Sequence, residues 1–317
     1  MAVANPSESI VRESPWGPIA IADAHAHFFS HAFFSALVAQ NPDLTLDAAG
    51  AMLGWTMPPE DPVRLAEEWV KELDRQRVAR AALMASIAGD EASVIAASAA
   101  FPKRFFAFAM VNPKAWQART FENIRAACLF PAMHGYSVQD DAARAVFDWA
   151  QTRRRVVFVH CGVLSVGVRA KLGLPSPFDM RFSNPIDLHA VALRYPSVPI
   201  VVPHFGAGYF REALMLADLC PNVYLDTASS NRWVRYLEPH HLQSRVDLRR
   251  VFRQALDVVG PSRLLFGTDS SYFPRGWHDA IFEQQARALY ELGLTAPDAR
   301  AIFGENLMRI LASEDLL

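Results

Sequence analysis

The sequence lacks the features that mark secreted and membrane-spanning chains. It has 3 cysteines in 317 residues and no C-x-x-C pair, so a disulfide framework is not expected. It has no uninterrupted apolar run of about 18 residues, as a transmembrane helix would need. Its first residues also lack the basic and then apolar pattern of a secretory signal. We therefore predict a cytoplasmic protein with no membrane partner, whose reduced cysteines serve as small buried side chains.

An excess of charge of one sign is also missing. The chain has 31 basic and 33 acidic residues, which gives a net charge of −2. A nucleic-acid-binding protein needs a concentrated cationic face, so no nucleic-acid partner is expected. The G-x-G-x-x-G turn of dinucleotide-binding sheets does not follow the first apolar run.

The sequence does contain a regular alternation of short apolar runs and longer amphipathic segments. Most of the runs are continuously apolar, which is typical of parallel strands buried on both faces. The predicted strands cover residues 19–24, 81–85, 105–111, 126–130, 156–160, 198–203, 223–226 and 263–267. The predicted helices include 62–77, 140–152, 185–194, 210–219, 246–258 and 277–292. Eight such units predict an α/β fold of the (β/α)8 TIM-barrel type, with an open doubly wound sheet as the alternative.

Three segments fall outside this repeat. Residues 1–18 are an N-terminal lead-in to a barrel that we place at 19–317, and residues 296–314 are predicted to form one or two closing helices. Residues 28–61 are a long insertion after the first strand, rich in Phe, Met, Pro and Trp. Long loops after barrel strands lie at the catalytic end, so this insertion is predicted to be a pocket wall or lid. An oligomer contact or a packed cap is the alternative.

Polar side chains that can bind metal stand where several predicted strands end. His25 and His27 are two positions apart on the first strand, so they point to the same side. His160 and His204 close the fifth and sixth apolar runs, and Asp269 follows the eighth. The carboxyl ends of barrel strands meet on one face, so these side chains are predicted to converge there. Their nitrogen and oxygen atoms suit Zn²⁺, Mn²⁺ or Fe²⁺.

The stretches that carry these residues resemble the amidohydrolase superfamily, and more narrowly the branch of aminocarboxymuconate-semialdehyde decarboxylase. The similar stretches are residues 21–27, 157–162, 200–206, 265–269 and 304–311. The resemblance implies a barrel enzyme with one divalent metal ion, most readily Zn²⁺. It implies that the metal ligands are His25, His27, His160 and Asp269, and that His204 is an acid or base beside them.

Two departures from the resemblance limit what it implies. Binuclear members of the superfamily carry a bridging lysine after strand four, whereas residues 128–134 contain none, so a bridged two-metal centre is not expected. Some decarboxylases of the branch have Glu-x-His in the first motif. Here the motif is His25-Ala26-His27, which weakens the similarity to those aromatic-acid enzymes.

Five further side chains are predicted to bind substrate. Arg232 and Arg275 follow the seventh and eighth strands, and a guanidinium group binds a carboxylate through two parallel hydrogen bonds. Surface ion pairs are the alternative role for both. His134 and Tyr136 follow the fourth strand, and Trp55 belongs to the insertion. Aromatic residues at the mouth favour a flat or unsaturated substrate, although core packing explains them equally well.

Together these features predict a metal-dependent hydrolase that acts on a small carboxylated, unsaturated or aromatic-derived molecule through a metal-activated water. His204 and Asp269 are the predicted catalytic residues. The alternative reaction is non-oxidative decarboxylation, because the same residues could deliver a proton to the carbon that loses CO₂. A third reading is an inactive barrel used as a binding or scaffold protein. We further expect the chain to form a homodimer.

Overall fold

In a computed structural model, eight parallel strands follow one another in chain order around a cylinder. The structure describes residues 10–116, 121–229, 233–237, 247–271 and 275–312. Backbone hydrogen bonds from Ala24 N to Phe266 O (2.9 Å) and from His27 N to Ser270 O (2.6 Å) join the last strand to the first. The predicted barrel is therefore confirmed. The strands are β1 Ala22–Phe28, β2 Arg80–Ala85, β3 Phe105–Val111, β4 Ala126–Leu129, β5 Val156–Val159, β6 Ile200–Val202, β7 Val223–Asp226 and β8 Leu264–Leu265.

Helices surround the strands and close the amino-terminal end of the barrel. The α-helices are α1 His31–Val38, α2 Leu46–Leu53, α3 Pro62–Arg75, α4 Glu91–Ala100, α5 Pro131–His134, α6 Asp141–Arg153, α7 Gly167–Lys171, α8 His189–Arg194, α9 Phe210–Leu219, α10 Leu248–Val259, α11 Asp279–Glu291, α12 Ala296–Arg300 and α13 Asn306–Leu311. Short 3-10 turns cover Pro113–Ala115, Met180–Phe182, Pro185–Leu188, Pro203–Gly206, Val234–Leu237 and Pro261–Arg263, and a π-helical turn covers Ala301–Glu305.

Local sequence explains where several helices begin. Asp61 caps α3 by accepting a hydrogen bond from the Val63 backbone nitrogen, with Pro62 in the first turn, as its spacing predicts. Asp247 caps α10 in the same way through the Arg250 nitrogen. Within the described ranges, no helix combines the length and apolar character that crossing a membrane requires.

The first strand differs from its predicted bounds of 19–24. It runs from Ala22 to Phe28, so His25 and His27 lie inside the strand rather than at its end. Parallel pairing with β2 continues along these residues and stabilises their strand conformation. The sequence prediction ended the strand too early because alternating Ala and His residues do not form an apolar run.

A β-bulge in β1 decides which way the two histidines point. The pairing with β2 shifts register between Asp23 and Ala26. Ala24 packs inside the barrel, whereas Ala26 packs outside it against the helices, although both positions are even-numbered. A one-residue shift reverses the faces of a strand. The odd-numbered His25 and His27 therefore point toward the barrel axis.

Two apolar clusters form the core. The inner cluster fills the barrel with alternate strand residues, and Leu307 and Leu311 of α13 close its lower end. The larger outer cluster lies between the strands and the helices. All three cysteines are buried and unpaired, which agrees with the prediction of small apolar side chains; they are Cys128, Cys161 and Cys220.

Arg12 attaches the lead-in to the barrel. Its guanidinium donates hydrogen bonds to the Gln76 backbone oxygen at 2.7 Å and to Glu283 at 2.9 Å, and it also bonds to Asp279. It lies 4.6 Å from the centre of the Phe282 ring. One side chain thus joins the end of α3 to the beginning of α11.

Replacing Arg12 by Met is expected to lower the free energy of unfolding by about 1–2 kcal/mol, because the apolar stem remains while the hydrogen bonds to the Gln76 oxygen and to Glu283 are lost. Urea unfolding would measure the change. Arg64→Met, at an exposed position of α3, is the matched control and should change the value by less than about 0.5 kcal/mol. An equally small effect of Arg12→Met would contradict the role given to this side chain.

Candidate active site

The structure brings the five predicted polar side chains together at the carboxyl end of the barrel. His25 and His27 belong to β1, His160 and His204 follow β5 and β6, and Asp269 follows β8. The ring centre of His25 lies 4.8 Å from that of His204 and 5.2 Å from that of His27. The ring centres of His160 and His204 are 5.4 Å apart. We call these five side chains the polar cluster.

Distances within the polar cluster suit a shared cation. The Nε2 atoms of His27 and His25 lie 3.2 and 3.7 Å from the same oxygen, Oδ1 of Asp269. Two ligand atoms bound at about 2.0–2.1 Å to one tetrahedral metal ion are about 3.3 Å apart. His25, His204 and Asp269 each place one potential ligand atom within 4.8 Å of those of the other two. This compact group includes His204, which the resemblance implies to be an acid or base.

The surroundings of His25 leave one ring nitrogen for a cation. Its Nδ1 donates a hydrogen bond of 2.6 Å to Asp226 Oδ2, whereas its Nε2 is buried without a hydrogen-bond partner among the described residues. Burial lowers the pKa of His25, but Asp226, Asp269 and Asp23 outweigh it and raise the pKa to about 9. A divalent cation can take the place of that proton, since metal ligation requires the neutral ring. The residues therefore fit a metal ion.

The tautomers of two other histidines are fixed by hydrogen bonds. The Ser86 hydroxyl donates to the Met84 oxygen at 3.2 Å, so it accepts the 2.8 Å bond from His27 Nδ1. The other ring nitrogen, His27 Nε2, faces Asp269 Oδ1 at 3.2 Å. His204 Nδ1 donates to the Ala228 oxygen at 2.8 Å. Burial and the nearby charge of His25 lower the pKa of His204, so its Nε2 carries a lone pair at neutral pH.

His160 is held as a neutral ring. Burial lowers its pKa well below the ordinary value, and the neighbouring His204 and His25 lower it further. Its Nδ1 is buried and has no hydrogen-bond partner, and the Phe130 ring stacks against it at 5.4 Å. His160 is thus a second neutral ring with a buried nitrogen that no described group satisfies.

Asp269 is described best as a carboxylate. Burial acts to raise its pKa, but the contact with His27 and the positive charge of His25 prevail and hold the pKa well below its usual range. The Asp269 backbone nitrogen also donates to the His25 oxygen at 3.0 Å, so the loop after β8 is tied to β1.

A second aspartate, Asp23, also links β1 to the loop after β8. Asp23 accepts hydrogen bonds from the Thr268 hydroxyl at 2.6 Å, from the Trp277 indole at 2.7 Å and from the His25 backbone nitrogen at 2.8 Å. Burial raises its pKa to about 6 although these bonds act in the opposite direction. Asp23 therefore holds the residues next to Asp269 without reaching the polar cluster itself.

Left-handed backbone conformations are concentrated around the polar cluster. A non-glycine residue at positive φ costs about 1–2 kcal/mol. Among the described residues, Arg77 and Arg154 adopt positive φ just after helices, and the other five non-glycine examples adjoin the site. These five are His204 (57°), Phe205 (51°), Ala207 (42°), Ser229 (50°) and Asp269 (57°). The local strain persists because the packed core and the hydrogen bonds around it fix these loops.

The end of β7 contributes groups that the sequence analysis did not single out. Asp226 accepts from His25 and from the Ala228 nitrogen, and the Ala228 oxygen accepts from His204. A Cβ atom on Gly267 would lie 2.7 Å from Asp226 Oδ1 and 2.9 Å from the His25 Cβ, so glycine is required there. The sequence did contain a signal that could have identified Asp226 as a site residue, because it is an acidic residue at the carboxyl end of an apolar run.

A cleft of about 450 Å³ opens above the polar cluster. Phe29, Phe33 and Trp55 of the insertion line one side of it. Much of the remaining lining is apolar; it includes Met110, Phe130, Met133, Val163, Leu164, Val166, Val168, Ala207 and Trp233. The insertion after β1 is therefore a wall of the cleft in this structure.

The predicted substrate-binding residues separate into three groups. Arg275 and Trp55 line the cleft. His134 and Tyr136 do not line it: Gly135, at φ 63°, ends α5 and turns the chain into the outer core, where Tyr136 is buried. Arg232 lies outside the described residues. Substrate contact by any of these residues stays a prediction.

Comparison with known families gives the class of this protein. An amidohydrolase family model matches residues 22–312, so the chain belongs to the amidohydrolase family of enzymes. Among curated relatives, protein fluG of Emericella nidulans is 30% identical over 167 residues. The match covers 43% of this chain and 18% of that protein, so the chain spans less than a fifth of that relative's length.

Similar solved structures support the fold. A probable 2-pyrone-4,6-dicarboxylic acid hydrolase from Acinetobacter baumannii with bound citric acid has a TM-score of 0.60 at 12% identity, covering 92% of this chain and 98% of that one. An amidohydrolase from Burkholderia multivorans with bound zinc scores 0.58 at 18% identity, with 92% and 99% covered. A dihydroxybenzoic acid decarboxylase from Polaromonas sp. JS666, with manganese and 2-nitroresorcinol bound, scores 0.58 at 15% identity, with 94% and 99% covered.

Asp226→Asn is expected to lower metal affinity about 10- to 100-fold. An amide has only one accepting atom, so it must turn its NH₂ group toward either His25 Nδ1–H or the Ala228 N–H. Competition with a zinc chelator would measure the affinity. Asp148→Asn, which alters a carboxylate bonded to the Tyr195 hydroxyl outside the cleft, is the matched control. Unchanged affinity in Asp226→Asn would show that Asp226 does not orient His25 for binding.

Proposed function

We propose that this protein is a metal-dependent hydrolase that acts on a small carboxylated, unsaturated or aromatic-derived substrate. The single observation that carries the proposal is the polar cluster. It places three neutral or metal-compatible imidazoles, a protonatable His25 with a buried free Nε2, and an ionised carboxylate at the floor of one cleft. A purely structural set of buried groups would be expected to satisfy one another by hydrogen bonds, whereas His25 Nε2 and His160 Nδ1 are buried without a partner among the described residues.

In the proposed site His25, His27, His160 and Asp269 hold one divalent cation. Zn²⁺ is the proposed ion, and Mn²⁺ is the alternative, since the similar structures contain one or the other. When bound, the cation supplies Lewis-acid polarisation of the substrate and a nucleophile from water near neutral pH. Asp226 and Ser86 orient two of these ligands by bonding to the Nδ1 atoms of His25 and His27.

His204 is the proposed base and acid. Its Nδ1 hydrogen is engaged by the Ala228 oxygen, so its Nε2 is free to accept a proton from water and to return it to the leaving group. The lowered pKa of His204 keeps this nitrogen unprotonated at neutral pH. Asp269 lies beside it as a carboxylate and can accept a hydrogen bond from the same water.

Non-oxidative decarboxylation is the second candidate. The apolar and aromatic lining of the cleft suits a flat aromatic acid, and one similar structure is a dihydroxybenzoic acid decarboxylase. In that reaction His204 Nε2 would first take a proton from solvent and then deliver it to the ring carbon, whose bond to the carboxylate breaks as CO₂ leaves. Hydrolysis is preferred here because the first motif is His-x-His rather than Glu-x-His.

The two reactions can be separated by their products. Zinc-loaded and manganese-loaded protein would be incubated with 2-pyrone-4,6-dicarboxylic acid and with dihydroxybenzoic acids. Hydrolysis predicts ring opening with proton release and no CO₂. Release of CO₂ in step with substrate loss would instead establish the second candidate, and no turnover of either class by the metal-loaded protein would count against the proposed substrate class.

His204→Asn is expected to lower kcat by about 10²–10⁴, since it removes the proton-transferring group and preserves side-chain size. Bound metal, measured by elemental analysis, should remain near one ion per chain. Chelation of wild-type protein should abolish turnover, and added Zn²⁺ should restore it. Retained turnover in His204→Asn would contradict its role, and loss of the metal together with turnover would identify His204 as a ligand instead.

A further inference from the structure

We propose that the mouth of the cleft contains a second anion-binding subsite, formed by Lys171 and Arg275 together with Trp55, the ring that both cations contact. The subsite would select substrates that carry a carboxylate remote from the group that reacts at the polar cluster. This inference deepens the proposed function and rests on it. It names a dianionic substrate class rather than a merely carboxylated one.

The three side chains come from different parts of the chain and meet at one place. Lys171 is the last residue of α7, Trp55 belongs to the insertion after β1, and Arg275 lies in the loop after β8. Lys171 Nζ lies 5.8 Å from the centre of the Trp55 ring, and Arg275 Cζ lies 5.5 Å from it. Both distances are within the range of cation–π contacts. All three residues line the cleft.

These two positive charges are not balanced by carboxylates of the described residues. The described contacts of Arg275 are with the Trp55 ring and with His278 Nε2, at 3.4 Å, and Lys171 forms no ion pair within the described part of the chain. Their distances to the one ring place the two positive charges no more than about 11 Å apart. An anion bound beside this ring would therefore be attracted by both charges.

The charges along the cleft are segregated. Among the described residues that line it, Asp269 is the only carboxylate, and it belongs to the polar cluster at the floor. Lys171 and Arg275 are solvent-exposed, whereas the three histidines His25, His160 and His204 are buried. Apolar side chains such as Phe33 and Val168 also line the cleft. A ligand that fits this arrangement has two anionic ends joined by an apolar or unsaturated body. The flat face of Trp55 suits a planar body near the second anion.

Lys171 is the residue that this inference adds. An exposed lysine usually lies free in water, and a lysine on an aromatic ring at the mouth of a cleft is in a different setting. Arg275 supplies a planar group able to make two parallel hydrogen bonds to a carboxylate. Lys171 adds a point charge against the same ring, so the pair can bind carboxylates of differing orientation.

The test compares ligands that differ only by the second carboxylate. Calorimetric titration of the metal-loaded protein would give dissociation constants for isophthalate against benzoate, and for glutarate against butyrate. In at least one pair the dicarboxylate is expected to bind about tenfold more tightly. Lys171→Met and Arg275→Met should each reduce that preference, and the double variant should bring it close to one. Lys171→Arg should keep most of it.

Lys103→Met, which removes an exposed lysine away from the cleft, is the matched control and should leave the preference unchanged. Circular dichroism would verify that each variant is folded. Equal binding of dicarboxylates and monocarboxylates by wild-type protein, or a preference that survives the double substitution, would overturn the subsite. The proposed function fails separately, through absent turnover in metal-loaded protein, because the titrations use ligands that need not react.

Discussion

The bulge in β1 is the constraint on which the active-site geometry depends. Without the register shift between Asp23 and Ala26, the strand would keep one alternation, and His25 and His27 would point outward into the apolar layer beneath the helices. Two imidazoles in that layer would be buried without partners, at a cost of several kcal/mol. The shift instead directs them to the axis, where His204 and Asp269 are within reach. A local irregularity in one strand thus determines whether the cluster exists.

Once formed, the cluster is held by groups behind it. Three of these groups bond to imidazole rings: Asp226 to His25, Ser86 to His27, and the Ala228 oxygen to His204. A fourth, Asp23, bonds to the His25 backbone and to Thr268, next to Asp269. They fix ring orientation and tautomer before any ligand arrives, which reduces the reorganisation needed for binding and catalysis. The residues after β6 and β8 adopt strained left-handed conformations. This strain is tolerated because the packing of the barrel around these loops fixes their backbone conformation.

The polar cluster and the rest of the cleft lining come from different parts of the chain. The floor of the cleft carries the polar cluster, and many of the other residues that line the cleft are apolar. The two exposed cations stand at the mouth against Trp55. The insertion after β1 contributes to the wall and to the mouth, and the histidines of the polar cluster come from the barrel strands and the turns that follow them. Substrate specificity and the reacting centre can therefore vary independently, as in other barrels whose sites are built from loops.

The sequence by itself determined the barrel and the membership of the cluster. Apolar runs of strand length separated by helical periods predict parallel strands, and polar residues at their ends can meet only at one rim, so His160, His204 and Asp269 were found without coordinates. Features that depend on contacts between distant residues were not accessible in this way. Tertiary structure decided the register shift that turns His25 inward and the hydrogen bond between that ring and Asp226. It also decided that Tyr136 packs in the outer core rather than lining the cleft, and that Lys171 approaches Trp55. Periodicity reports which face of an element is apolar, whereas pairing register and loop path follow from the packing of the whole chain.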